Sequence, residues 1–249
     1  MINSTSSISV HGVSKHYGGV RALSEVSVDL GGGAITAMIR PNGAGKTTLF
    51  DVMTGFTKPD SGRVEVRGVD VTNKRPESIA RLGVVRTFQG TRLARRLSVL
   101  DNLFLAAGGR SSNGLERCGL ATPLITHNRA SEILAEVGLG IRVDQRAGAL
   151  SFGEQKLLSL ALCLVGGHDV LLLDEPFAGV DAGVVAAMSG LLQRWRDLGK
   201  SILVIEHNIS AVVEISDRIL VLNGGRMFKD VKPCDLGKDD DILHGFLKG

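Results

Sequence analysis

The chain has 249 residues, enough for one large domain or two small ones with a real core. Its charged fraction of 22% and apolar fraction of 43% exclude collagen-like, disordered and coiled-coil classes. Lys and Arg number 29 against 26 Asp and Glu, a net charge of +3 that falls far short of a nucleic-acid binder's basic stripe. Glycine, at 32 residues, is the outlier, about twice ordinary usage, and points to tight turns and close backbone approaches such as phosphate-binding loops. The longest apolar stretch, Leu157 to Val165, is too short for the ~20 residues that span a bilayer. Residues Met1 to Ser7 carry no basic region and no apolar core, so no signal peptide is expected. Cys118, Cys163 and Cys234 are far apart and lack metal-like spacing, which sets the expectation of a reducing cytosol.

In chain order, Ile8-Ser9-Val10 and Val26-Ser27-Val28 alternate with period two around the turn-rich Tyr17-Gly18-Gly19, which predicts an antiparallel, half-exposed β layer. Ala34 to Ile39 is a continuous apolar run that ends at a Pro/Gly cluster, and Thr47 to Thr54 reads as helix. A second β ribbon from Gly62 to Val71 precedes a helix begun near Pro76 and a short strand from Val84 to Phe88. Between Gln89 and Val165 the pattern turns helical, around Val99 to Ala106 and Ala130 to Val137, with a polar linker from Gly108 to His127. This reads as an inserted helical subdomain. After it, the strands Val170 to Leu173, Ser201 to Ile205 and Arg218 to Leu222 alternate with helices at Asp181 to Leu198 and Ile209 to Ile215, which predicts a parallel sheet covered on both faces.

The expected organisation is a single domain over 1–249. Its parallel-sheet core with the β subdomain takes 1–88 and 166–228, the helical subdomain 89–165, and a C-terminal tail 229–249.

Asn42-Gly43-Ala44-Gly45-Lys46-Thr47-Thr48 lies between an apolar strand and a helix, where a phosphate loop belongs. Backbone N–H groups freed by the glycines and the helix N-terminus bind phosphate oxygens, Lys46 reaches the terminal phosphates, and Thr47 offers its hydroxyl to Mg²⁺. The plain alternative is a glycine turn capped by a threonine. Position 40 is Arg where the full GxxxxGK[ST] pattern has its first glycine.

Val170-Leu171-Leu172-Leu173-Asp174-Glu175-Pro176 places two carboxylates at the C-terminal end of a buried strand, where open α/β sheets bind ligands. Asp174 is assigned the metal and Glu175 the attacking water. Leu150-Ser151-Phe152-Gly153-Glu154-Gln155 precedes a helix, with Ser151 at the N-cap and Glu154 where a capping box puts it. The simplest reading is that cap. A second helix N-terminus bearing a serine and a glycine is also a second anion site, which a partner protomer's nucleotide would share.

The phosphate loop, Gln89, Leu150 to Gln155, Leu171 to Pro176, Asp181 and His207 follow one another in the order of ATP-binding cassette (ABC) ATPases, which the chain resembles over nearly its whole length. The resemblance implies an α/β fold with a P-loop, RecA-like parallel sheet core, an N-terminal antiparallel β subdomain and an inserted α-helical subdomain. It implies two cassettes head to tail, with ATP and Mg²⁺ held between the phosphate loop of one and Ser151 and Gly153 of the other. It further implies that Tyr17 stacks on adenine, that Asp181 joins the nucleotide site, and that Gln89 contacts Mg²⁺ and water while sensing the membrane subunit. His207 would hold the γ-phosphate.

Arg86 to Leu93, Ser98 to Leu103, Ile205 to Ile209, Ser216 to Arg218 and Asp241 to Leu247 are similar to the branched-chain amino-acid importer branch of that family. That branch implies a cassette peripheral to the cytoplasmic face of the membrane, docked on two transmembrane permease subunits and served indirectly by an extracytoplasmic solute-binding protein. Three departures stand out: Arg40, the signature variants Phe152 and Glu154, and the tail from Lys229 to Asp240. A cassette serving urea or short amides, and a hydrolysis-impaired regulatory cassette suggested by Arg40, are the alternatives. A soluble cassette protein acting on DNA or ribosomes would carry two cassettes or a long coiled-coil insertion, and a guanine switch would carry NKxD, which Asn73-Lys74-Arg75-Pro76 fails at its last position.

Arg81, Arg86, Arg92, Arg95 and Arg96 read as a solvated basic face beside the membrane-subunit contact, with no nucleic acid as partner. Leu191, Leu192, Trp195 and Leu198 read as one buried helix face, and Cys163 as a small core residue.

Overall fold

The computed structural model of the chain describes residues 7–39, 45–87, 90, 92–108 and 125–238. They fall into two compact units, one made of Met1–Arg86, Asp169–Pro176 and Leu192–Gly249, the other of Thr87–His168 and Phe177–Leu191.

In the first unit, β1 (Ile8–Tyr17) and β2 (Val20–Leu30) form a hairpin across Gly18 and Gly19, and β4 (Ser61–Val66) and β5 (Val69–Asp70) complete an antiparallel sheet ordered β2-β1-β4-β5. The period-two alternation puts Ile8 and Val10 inside, with Ile8 opposite both Leu30 and Val66, and a register shift after Val10 brings Val13 inside as well. A second sheet runs β10-β9-β3-β8-β7-β6, from β3 (Ile35–Ile39), β6 (Val84–Arg86), β7 (Val170–Asp174), β8 (Ser201–Ile205), β9 (Arg218–Asn223) and β10 (Arg226–Val231). Strands β9, β3, β8, β7 and β6 are parallel. Every residue of β3, β7 and β8 is buried, which is why these strands read as unbroken apolar runs.

The two faces of this sheet bury different partners. Met38, Leu172, Leu203 and Leu220 share a core with the antiparallel sheet and with Leu49, Phe50, Val52 and Met53 of α1 (Lys46–Met53). Ala37, Ile39, Ile219 and Val221 pack on Val212 of α7 (Ile209–Ile215). Each large side chain buried this way contributes roughly 1.5–3 kcal/mol before the entropy of ordering it. Helix α2 (Pro76–Ala80), with proline in its first turn, adds Ile79 to the first core.

Strand β10 was not expected. It pairs antiparallel with β9 through Gly224 and Gly225, whose φ values of 52° and 73° give the two-residue turn that suits strand twist. Lys229, the expected start of the tail, lies inside this strand.

The second unit contains α3 (Val99–Ala106), α4 (His127–Glu136) and α5 (Phe152–Val165), which bury Leu103, Phe104, Ile133, Leu134, Leu158 and Ala161. Helix α6 (Ala182–Asp197) begins in this unit and ends in the other. Ser98, Thr126 and Ser151 each accept a hydrogen bond from a backbone N–H three residues on, so each fixes where its helix starts. The Thr126 cap starts α4 three residues before the expected Ala130. The buried Asn102 side chain binds Ala94 N–H and the Ala94 and Ser98 carbonyls, closing the loop ahead of α3. Leu191, Leu192 and Trp195 are buried as expected, but Leu198 is 76% exposed because α6 ends at Asp197.

Candidate functional site

The parallel strands deliver their C-terminal ends to one edge. Register sets Asp174 and Met38 each opposite Ile205, so the C-terminal ends of β3, β7 and β8 lie side by side. Asp174 is the last residue of β7 and its side chain is 9% exposed. Glu175 follows with φ of 47°, a left-handed conformation that costs a non-glycine residue roughly 1–2 kcal/mol. Its N–H donates to the Ile205 carbonyl at 2.9 Å, which holds the turn, and its side chain is 20% exposed and open to water. Backbone outliers of this kind cluster at functional sites.

At the end of β8, Glu206 is fully buried and accepts from the His207 N–H at 3.2 Å. The His207 ring is 61% exposed, with Nδ1 4.0 Å from Glu175 Oε1 and 3.8 Å from Glu206 Oε2. The edge therefore gathers two buried carboxylates, Asp174 and Glu206, a water-accessible one, Glu175, and an imidazole.

Helix α1 starts at the same edge, after β3. Gly45 caps it with φ of 85°, and a Cβ there would run into the Ala22 carbonyl oxygen, so only glycine fits. Lys46 opens the helix, Thr47 is exposed and Thr48 half-buried, and no acidic residue occupies the first turn, which leaves the positive helix end for an anion. Arg40, Asn42, Gly43, Ala44, Gln89 and the Lys46 side chain lie outside the described residues.

Arg86 departs from the expected solvated face. Its side chain is 5% exposed, bonded to Asp51 of α1 and 3.5 Å from Asp174, whereas Arg81, Arg92, Arg95 and Arg96 are exposed. Asp51 follows Thr47 by four residues, on the same helix face. Asp51 was not singled out from sequence, and Arg86 only as one of a solvated basic run. The available signal was an arginine at the end of a three-residue apolar strand, with a partner acid on the helix after the glycine loop.

Tyr17, at the end of β1, is 47% exposed, and the Lys15 ammonium lies 5.6 Å from its ring centroid. Lys15 and His16 also bind Asp60, and the Lys15 hydrogen bond leads in holding that carboxyl down to about 2.

In the second unit, Ser151 and Glu154 form a full capping box. Glu154 N–H donates to Ser151 Oγ at 3.3 Å, and Ser151 N–H to Glu154 Oε2 at 2.8 Å. The latter bond leads in lowering the Glu154 pKa, and Arg142 at 3.2 Å adds to it. Gly153 is required by packing, because a Cβ there would sit 2.7 Å from Val184 Cγ2. Asp181 accepts from the Val184 N–H at 3.0 Å, capping α6.

Among the described residues no group of three His, Cys, Asp or Glu side chains is arranged to hold a metal by itself. Asp174 and the Thr47 hydroxyl are hard oxygen donors of the kind that hold Mg²⁺, which keeps waters and phosphate oxygens as its other ligands. The residues present therefore fit Mg²⁺ bound with a nucleotide. No helix among the described residues is long and apolar enough to cross a membrane. Cys163 is buried, which pushes its thiol up to about 12, and Cys234 is exposed.

The profile of the ABC transporter family matches residues 23–178. The chain belongs to that family, as an ATPase cassette that couples hydrolysis to transport. It is 35% identical over 247 residues to the high-affinity branched-chain amino acid transport ATP-binding protein LivG of Salmonella typhimurium, covering 96% of this chain and 97% of the relative. The corresponding protein BraF of Pseudomonas aeruginosa is 34% identical over 248 residues, with the same coverage. Among solved structures, the ADP conformation of MJ1267, an ATP-binding cassette of an ABC transporter, superposes with a TM-score of 0.86 at 28% identity, covering 98% of this chain and 99% of that one. The α/β cassette fold expected from sequence is thereby borne out.

Proposed function

We propose that this chain is the ATP-hydrolysing subunit of an importer for branched-chain or other hydrophobic amino acids. Two cassettes act head to tail on the cytoplasmic face of the membrane, docked on two permease subunits that an extracytoplasmic solute-binding protein supplies. Near full-length similarity to LivG and BraF supports this reading over urea or short amides as cargo.

The observation that carries the chemistry is the pair Asp174 and Glu175, one carboxylate buried and the next turned toward water within 4.0 Å of His207. Asn42 to Thr48 would wrap the phosphates, with Lys46 on the terminal ones, and Tyr17 would face the adenine. Thr47, Asp174 and Gln89 would hold Mg²⁺ with the nucleotide. Bound Mg²⁺ neutralises phosphate charge and orients the terminal phosphoryl group. Glu175 then accepts a proton from the attacking water, and His207 holds the terminal phosphate oxygens. Ser151, Gly153 and Asp181 complete the partner cassette's site.

The test is Glu175→Gln in the purified chain. Turnover should fall about 10²-fold or more while ATP stays bound and a dimer accumulates, as read by phosphate release and by size with mass detection. Undiminished turnover would refute the role. Co-purification of the permease subunits from detergent-solubilised membranes tests the transport assignment.

A further inference from the structure

Arg86 ends β6 with its side chain almost entirely out of water. A buried guanidinium is costly unless its charge is met, and here two elements meet it. Nη1 donates to Asp51 Oδ1 on α1, Nη2 lies 3.5 Å from Asp174 Oδ2 at the end of β7, and the guanidinium carbon sits 5.3 Å from the centroid of the Phe50 ring. The Asp51 contact is a hydrogen bond, and the Asp174 contact is an ion pair at 3.5 Å. One fixed cation is divided between a helix acid and the strand-end acid proposed to hold the metal.

We propose that Arg86 is a positioning residue that orients Asp174 and, by its charge, weakens the hold of that carboxylate on a divalent cation, with Asp51 setting how much of the charge Asp174 feels. The inference rests on the reading of Asp174 as a metal-holding carboxylate. It has two consequences of opposite sign. Without the guanidinium, Asp174 has more of its charge to offer and the cation binds more tightly. Without the Asp51 charge, Asp174 feels more of the Arg86 charge and the cation binds more weakly. A bridge that only ties α1 to the sheet would lower stability in both variants and would not shift cation affinity in opposite directions.

Mn²⁺ titrated into the full chain, with and without the non-hydrolysable analogue AMP-PNP, reads this directly through the EPR signal of free Mn²⁺. Arg86→Met should bind Mn²⁺ about tenfold more tightly and Asp51→Asn several-fold more weakly, in line with one unit charge moved near the ion. Arg86→Lys, which keeps the charge but loses the fork, should stay within about twofold of the parent chain. Thermal melting establishes which variants are folded, and if Arg86→Met is not, the weakening in Asp51→Asn decides. Unchanged affinity in the folded variants, or a shift of the same sign in both, overturns the inference. Asp174→Asn separates the two levels. If it leaves Mn²⁺ binding intact, the metal reading of Asp174 fails and the inference falls with it. If it abolishes Mn²⁺ binding while Arg86→Met and Asp51→Asn match the parent, the role of Arg86 alone fails.

Discussion

At the edge of the parallel sheet, Glu175 stands in a left-handed conformation, which burdens the fold that carries it. At the start of α5, Ser151 and Glu154 exchange hydrogen bonds that stabilise their own helix, and Gly153 is there because Val184 leaves no room for a Cβ. The first region advertises its chemistry by what it costs. The second hides its chemistry behind a complete structural explanation, and a binding role there has to be argued from the anion affinity of the helix end. Substitutions should therefore separate function from stability at the sheet edge, whereas at the cap only a replacement that keeps the hydrogen-bond acceptor can separate them.

The largest effect comes from combining the two regions. Lys46→Ala and Ser151→Arg should each silence hydrolysis in a homodimer. Mixing the two chains places both lesions in one composite site and leaves the other intact, so part of the activity returns. Heterodimers confirmed by mass, with nucleotide counted per dimer, check this; a dead mixture with one nucleotide bound per heterodimer would exclude independent composite sites.

Next in size, Ser151→Asp keeps the cap, since aspartate accepts from the same N–H, but sets a negative charge against phosphate. Melting temperature should hold while hydrolysis falls about tenfold or more. Ser151→Ala loses about 1 kcal/mol of cap energy, a drop of about 2–4 °C in a chain of this size. If the aspartate variant hydrolyses ATP normally, Ser151 is a cap and nothing more. At the sheet edge the opposite coupling holds. Glu175→Gly removes the left-handed strain and should raise stability by up to about 1 kcal/mol in denaturant titration, while turnover is lost.

The same contrast governs what was legible in the sequence. Strands β3, β7 and β8 announce themselves as apolar runs because both faces are buried, and the acids that end β7 stand out against them. Strand β10 escaped because it is an antiparallel edge strand in which exposed and half-buried residues alternate, so Arg226 to Val231 offers no apolar run. Arg86 was grouped with its basic neighbours because charge in a linear sequence looks solvated; its acids, Asp51 and Asp174, are 35 and 88 positions away. Leu198 fits the helical period of Leu191 and Trp195, but the helix stops one residue earlier. Gly45 was legible as a loop glycine, whereas its clash partner, the Ala22 carbonyl, belongs to β2 and needed the fold.

The smallest effect is a pH dependence confined to the cap. Hydrogen bonding from the Ser151 N–H, with smaller help from the Ser151 hydroxyl and Arg142, holds the Glu154 carboxyl below its ordinary value of 4.5 in the folded chain. A carboxyl whose folded pKa is depressed stabilises the fold above its unfolded value, and that contribution is lost as pH falls through the folded pKa. Protection of the first-turn amides of α5 against hydrogen exchange, corrected for intrinsic rates, should therefore be flat above about pH 5 and decline below 4.5. Glu154→Gln supplies the same acceptor without a titrating proton, because glutamine also closes a capping box, so its protection should stay level across that range. A parent chain whose first turn is equally protected at pH 6 and pH 3.5 would mean that Glu154 contributes no charge-dependent stability. The stability half of the contrast between cap and sheet edge would then rest on the Ser151 hydroxyl alone.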